Sequence, residues 1–286
     1  MRTAIRLVLA SVALCAAVMP APAQLRGPGS QPVEPFRVIG NIYYVGAAGI
    51  SAHIIDTPDG LILLDTGSKE MQAGLRANIE KLGFALTDIK IILSSHAHWD
   101  HVEGHADMQQ RTGARVMALG EDAAAISSGI DNSALGGDGW TPVKVDRLLE
   151  DGDTVSLGGV VMTAHWTPGH TKGCTTWTMP VLEDGKTYTV VFVGGTSINP
   201  GVQLLGNTRY PKIAEGYART FTTLKSIDAD VFLAQHPEMY DMAGKRQRQQ
   251  AGATENPFID RVGFQRFVAG QEKLYLDQLA EEQGRQ

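Results

Sequence analysis

The chain has 286 residues, 43% of them hydrophobic and 20% charged, with a formal charge of −6. That apolar share excludes an intrinsically disordered chain, and 32 glycines without a Gly-X-Y period exclude a collagen-like one. Two cysteines cannot build a disulfide framework and form no zinc-spaced pair, and the acidic balance argues against nucleic acid as a partner.

Residues 1–23 read as an export signal. Arg2 and Arg6 make a basic start, Leu7 to Val18 form an apolar stretch, and Ala21-Pro22-Ala23 supply the small residues of a cleavage site. The apolar stretch is shorter than the ~20 residues that a membrane span requires. The expectation is therefore a cleaved signal peptide over 1–23, no stable membrane anchor, a periplasmic protein, and one domain over 24–286. Cys174 would be the one remaining thiol, so the core must stabilise the exported chain without an internal disulfide.

Residues 24–33 are rich in Gly and Pro and read as a lead-in. Short apolar strands follow at Arg37–Ile39, Ile42–Val45, Ala52–Asp56 and Leu61–Leu64, and Asp59-Gly60 between the last two signals a type I′ hairpin turn. Helical spacing predicts helices near 70–82 and 103–112, with strands at Ile89–Leu93 and Arg115–Leu119. Residues 130–142 have no periodicity and several turn formers, which predicts a mobile loop, with Trp140 as a candidate cover for the site. A second β-rich stretch is expected at 154–157, 159–165, 175–180 and 187–193. After it come a helix near 211–226, a strand at Val231–Ala234 and a last helix near 260–282. In that last helix Phe264, Phe267, Val268, Leu274, Tyr275 and Leu279 fall close to one face. Strands then helices, twice over, predict two packed sheets with helices outside.

The strongest chemical signal follows the strand Ile89–Leu93, in Ser94-Ser95-His96-Ala97-His98-Trp99-Asp100-His101. His96 and His98, two apart in extended backbone, project to one side and can share an ion. Asp100 and His101 fall where the chain turns into a helix and can point to a second ion alongside. Imidazole nitrogen and carboxylate oxygen both suit zinc, and a catalytic site leaves a position open for water. His170, in Thr167-Pro168-Gly169-His170-Thr171, and His236, after Val231–Ala234, also stand just past strands and complete two sets of three. His53, His105 and His165 have no such company and read as structural or surface residues. Cys174 reads as a buried, inert thiol.

This constellation resembles the metallo-β-lactamase superfamily: His96-X-His98-X-Asp100-His101, with Asp65-Thr66-Gly67 upstream and Thr167-Pro168-Gly169-His170 downstream. The resemblance implies an α+β fold, the αββα sandwich of two packed mixed β-sheets with helices on the outer faces, and two Zn2+ at one edge. Carried over residue by residue, it makes His96, His98 and His170 the ligands of the first zinc. Asp100, His101 and His236 become those of the second, and Asp65 a carboxylate that orients ligands.

Hydrolytic relatives such as glyoxalase II carry a bridging aspartate after a strand, whereas the corresponding stretch here, Val191-Phe192-Val193-Gly194-Gly195-Thr196-Ser197, has no carboxylate and no cysteine. A second site of Asp100, His101 and His236 is similar to the third subclass of class B β-lactamases. That resemblance implies hydrolysis of penicillins, cephalosporins and carbapenems by a hydroxide between two zinc ions, with Asp100 as the residue that orients the nucleophile or passes on a proton. It also implies a monomer whose partner is the small-molecule β-lactam. Relatives hold the substrate carboxylate with two serines on the loop after the strand. Here an ungapped match places Thr196 and Ile198 there, with Ser197 or Asn199 as substitutes in another register. A dizinc hydrolase of another ester, lactone or thioester is the alternative, and a non-enzymatic zinc protein would need closed coordination shells instead of two three-ligand sites.

Overall fold

In Ile89–Leu93 the apolar residues divide between two faces. Ile91 and Leu93 join a core cluster that also contains Met162, Ala164, Trp177 and Met179, whereas Ile89 and Ile92 join a second cluster with Leu75, Ile79 and Met108. Leu61–Leu64 does the same, Ile62 and Leu64 inward and Leu61 and Leu63 toward the helices. The alternation has period two along Leu61–Leu64 and Ile91–Leu93, is shifted at Lys90 by a register irregularity, and gives both faces the apolar side chains that a strand covered on both sides requires. Each such side chain contributes roughly 1.5–3 kcal/mol on full burial.

The computed structural model describes residues 28–137 and 139–285. The proposed signal peptide 1–23 lies outside the described residues. Seven strands form the first sheet in sequential order: β1 Phe36–Ile39, β2 Ile42–Tyr44, β3 His53–Thr57, β4 Gly60–Leu64, β5 Ile89–Leu93, β6 Arg115–Leu119 and β7 Val145–Leu149. Pairing is antiparallel from β1 to β4 and parallel from β4 to β7. The second sheet runs in the order β12, β11, β10, β9, β8, formed by β8 Thr154–Leu157, β9 Val160–Trp166, β10 Thr175–Glu183, β11 Lys186–Val193 and β12 Val231–Ala234. Its β11–β12 pair is parallel and the rest antiparallel.

Helices α1 Gln72–Lys81, α2 Trp99–Val102, α3 His105–Thr112 and α4 Gly120–Ser128 accompany the first sheet. α5 Ile213–Ser226, α6 Met242–Gln250 and α7 Arg261–Gly284 accompany the second, with Tyr217, Phe221, Phe264, Val268 and Tyr275 buried. Two mixed sheets packed between helices form the α+β sandwich expected from the sequence. No helix among the described residues is long and apolar enough to cross a membrane.

Several local expectations are corrected. The β3–β4 turn is Pro58-Asp59, with Thr57 pairing Gly60, so it lies one residue earlier than Asp59-Gly60. Of that pair only Gly60 has positive φ (+122°), and the Thr57 hydroxyl closes the turn on the Gly60 carbonyl at 2.6 Å. The helix expected at 103–112 is α3, which begins two residues later at His105 and is parted from the short α2 around Gly104, where a Cβ would collide with Gln72. Leu274 is 61% exposed and leaves the apolar face of α7, which is made by Phe264, Val268 and Tyr275. Elements α4, β7 and α6 have no counterpart in the sequence reading.

Candidate metal centre

The candidate site lies where strand ends meet. Asp65 follows β4, the His96–His101 segment follows β5, His170 follows β9, Thr196–Asn199 follow β11, and His236 follows β12. Residues from both sheets therefore reach one edge of the sandwich. The structure brings one donor atom each from His96, His98 and His170 within 4.8 Å of one another, and likewise from His96, Asp100 and His101. His236 stands beside the second group, its Nε2 3.8 Å from Asp100 Oδ2 and its ring 5.0 Å from that of His101. His96 thus faces both groups, a sharing that the two separate threes of the sequence reading did not contain.

Each outer imidazole is anchored through Nδ1. His170 Nδ1 donates to the Ser197 carbonyl at 2.7 Å and His236 Nδ1 to the Gly49 carbonyl at 2.8 Å. His101 Nδ1 lies 3.1 Å from Asp65 Oδ2. These anchors fix ring orientation and leave Nε2 free for a cation. His101 Nε2 is buried with no hydrogen-bond partner, 3.4 Å from Asp100 Oδ2 without hydrogen-bond geometry.

Electrostatics agree with a cation site. Burial, reinforced by neighbouring imidazoles, lowers His96 well below the ordinary histidine range and takes His170 to about 3. Burial also lowers His98 to about 4. These rings are neutral, the state in which imidazole binds metal. Burial acts against ionisation of Asp100, but His101, His236 and His98 outweigh it and hold the carboxyl well below its usual range. His101 also meets a burial penalty, yet Asp100 and Asp65 push it up to about 10, so a positive charge is favoured at its Nε2. Neutral nitrogens, a carboxylate and an unpartnered buried Nε2 fit one or two divalent cations that accept borderline-to-hard ligands.

Asp65 sits directly under this cluster with φ +60°. It accepts from the Ser95 amide at 2.7 Å and the Ser95 hydroxyl at 2.6 Å, besides facing His101. A cavity of about 250 Å³ opens over the centre, walled by Ser197 and Asn199 on one side and by Asp131, Ser133 and Leu135 on the other. Thr196 is 2% exposed, and its hydroxyl is buried without a partner. Trp140 is 7% exposed and packs in the helix-side core instead of over the cavity.

His53, His105 and His165 stand apart from the cluster. His105 is buried between the Thr66 and Ser94 hydroxyls, each at 2.8 Å, and His165 bonds the Thr178 hydroxyl. Cys174 is buried, its Sγ accepts from the Gly195 amide at 3.0 Å, and burial pushes its thiol far up, which makes it inert. Two groups escaped the sequence reading. Arg209 donates to the Asp131 and Ser133 carbonyls at 3.0 and 3.2 Å and so holds the cavity wall. Tyr217 donates from below to the Ser197 carbonyl at 2.8 Å, the same oxygen that anchors His170.

Known proteins match this arrangement in fold and in sequence. The native FEZ-1 metallo-beta-lactamase from Legionella gormanii is 39% identical over 90% of this chain and 99% of its own, with a TM-score of 0.86. BJP-1, a subclass B3 metallo-beta-lactamase of Bradyrhizobium japonicum, is 37% identical over 90% of this chain and 97% of its own, with a TM-score of 0.83. Among curated relatives, a hydroxyacylglutathione hydrolase of Maricaulis maris is 30% identical over 142 residues, which are 50% of this chain and 41% of the relative. One from Rhodopseudomonas palustris is 31% identical over 143 residues, 46% of its length. The chain thus spans less than half the length of these two hydrolases. Residues 45–236, from the end of β2 to the last histidine of the cluster, match the family model described as the metallo-beta-lactamase superfamily, and the chain belongs to that superfamily of hydrolases.

Proposed function

We propose that the chain is a zinc-dependent, periplasmic β-lactamase that acts as a monomer on penicillins, cephalosporins and carbapenems. The observation that carries this reading is the donor set at the second position, Asp100, His101 and His236, combined with the absence of any carboxylate at Val193-Gly194-Gly195-Thr196. The gap has a spatial reason: a Cβ on Gly195 would stand 2.2 Å from His170 Cδ2. A bridging aspartate of the glyoxalase II kind has no room there. The likeness to FEZ-1 and BJP-1 over nine-tenths of the chain supports the same reading.

His96, His98 and His170 would hold the first zinc, and Asp100, His101 and His236 the second. Bound zinc supplies Lewis-acid polarisation and a water acidic enough to ionise near neutral pH. The chain's own residues set the rest. Asp100, kept as a carboxylate, lines the cavity and would orient the attacking water or pass on a proton. The Asp65 and Gly49 contacts keep His101 and His236 in the tautomers that leave Nε2 free. Ser197 and Asn199 line the cavity where a substrate carboxylate would be received, and Leu135 offers an apolar wall.

The names of the curated relatives favour a second reading, hydrolysis of a thioester. One experiment separates the two. The chain from Gln24 onward is purified, its zinc is measured, and a chromogenic cephalosporin, a carbapenem and an S-acylglutathione are assayed with and without chelator. Chelator-sensitive β-lactam turnover is the expected result. About two zinc ions per chain without β-lactam turnover would overturn the proposal. In His236→Ala the zinc content should fall to about one per chain, and unchanged content would refute the ligand assignment.

A further inference from the structure

Asp122 is 1% exposed in the first turn of α4, yet it belongs to neither donor set. Its carboxylate accepts three short hydrogen bonds from two distant segments. Oδ2 takes the Ala97 amide at 2.8 Å and the Thr171 hydroxyl at 2.6 Å, and Oδ1 takes the Gly173 amide at 2.6 Å. Ala97 is the residue between His96 and His98, and Thr171 follows His170. One carboxylate therefore ties the β5 loop of the first sheet to the β9 loop of the second.

The contact is tight by construction. A Cβ on Gly173 would lie 2.2 Å from the Leu119 carbonyl oxygen and 2.5 Å from the Asp122 nitrogen, so only glycine lets this segment close on the start of α4. The helix start itself favours a negative charge at this position. Burial raises the Asp122 carboxyl to about 6, against which the three donors work. An isolated buried carboxylate is costly, and this one is retained where three donors converge on it.

We infer that Asp122 is a positioning residue that locks the His96–His98 and His170 segments into one unit and so sets the affinity and geometry of the first metal position. The inference rests on the metal-centre reading above. Neither oxygen of the carboxylate faces a donor atom of the cluster, so its action is through the two loops. Within an asparagine, one of the two oxygens becomes an amide that donates, so either the Gly173 amide or the Ala97 amide loses its acceptor, and in the latter case the Thr171 hydroxyl must turn to accept.

The test uses the full chain loaded with cobalt(II), whose absorption bands report ligand geometry, together with zinc competition against a chromophoric chelator. Asp122→Asn and Thr171→Val should each lower the affinity of one site by about 10- to 100-fold and shift the cobalt bands. Thr171→Ser, which keeps the hydroxyl, should restore both. Asp260→Asn serves as a control for stability alone, because it disturbs the α7 N-cap and the Lys245 ion pair far from these loops. It should leave affinity and spectrum unchanged. If Asp122→Asn does not fold, Thr171→Val decides. Wild-type affinity and spectrum in Thr171→Val would overturn the role of Asp122 while leaving the metal centre intact. Failure of the wild-type chain to take up cobalt or zinc would instead overturn the metal-centre reading, and the positioning role with it.

Discussion

Asp65 Oδ2 faces His101 Nδ1 at 3.1 Å while Oδ1 of the same carboxylate accepts the Ser95 amide at 2.7 Å, so one side chain orients an imidazole and fixes the loop that carries two more. It does this from a backbone with φ +60°, a region that Asp and Asn tolerate far better than other residues with a Cβ. Asp65→Asn keeps the backbone but removes the charge that favours a cation at His101 Nε2. Metal affinity should fall about 10- to 100-fold at one site, read by zinc content after dialysis against graded chelator. Wild-type retention would show that the carboxylate serves the loop alone.

Gly195 is a demand for space, since a Cβ there would meet His170 Cγ at 2.4 Å as well as Cδ2 at 2.2 Å. Gly195→Ala should displace the imidazole and lower kcat/KM by about 100-fold while the melting temperature changes little. Gly195→Asp should lose activity to the same degree and gain no thioester hydrolysis. A variant with wild-type kinetics would mean that His170 can move aside without cost.

Arg209 fixes the cavity wall through two backbone carbonyls that lie 76 and 78 residues away in sequence. Losing this fork in Arg209→Ala should raise KM for a β-lactam by about tenfold, some 1.4 kcal/mol, with kcat and zinc content retained. Lysine should not rescue it, because a point charge cannot span both carbonyls. A fall in kcat at constant KM would place Arg209 with the reacting groups instead.

His53 predicts a pH dependence of stability. Burial between Tyr44 and Phe192 lowers it to about 4, and its Nε2 has no partner. The unfolded chain binds a proton near pH 6.5 that the folded chain refuses until about pH 4. Stability from this group is therefore complete above pH 6.5 and is lost as the pH falls to about 4, by on the order of 3 kcal/mol. Urea titrations of metal-free protein across that window should show a shallower decline for His53→Leu than for wild type. Parallel curves would remove His53 as a source of the acid limb.

The sequence yielded what is local. His96-X-His98-X-Asp100-His101 is legible because its four donors lie within six residues after a strand, β5, β6 and β12 because mostly apolar runs end at polar turns, and β8 because Thr154–Leu157 alternates polar and apolar residues. Asp122 was invisible because its partners stand 25, 49 and 51 residues away, and an acidic residue in a first helical turn has an ordinary local explanation. α4 was missed because Ala123 and Ala125 bury too little to mark a face. β7 was missed because it is an edge strand whose Asp146, Arg147 and Leu148 face solvent. α6 buries only Met242 and Lys245, so its polar sequence carries no helical stripe.

The donors of the candidate centre come from loops of both sheets, and this has a consequence for how the sandwich stays closed. Among the described residues the one cysteine, Cys174, is buried and free, so no covalent bond fastens layer to layer. An ion held by His96 and His98 on one side and His170 on the other would act as a removable rivet through the seam. Its strength would depend on supply: about 2.7 kcal/mol when free metal stands at 100 times its dissociation constant, and nothing when metal is scarce. Zinc starvation would then cost such an enzyme its shelf life in the cell as well as its chemistry, because the unriveted layers are the form that proteases meet.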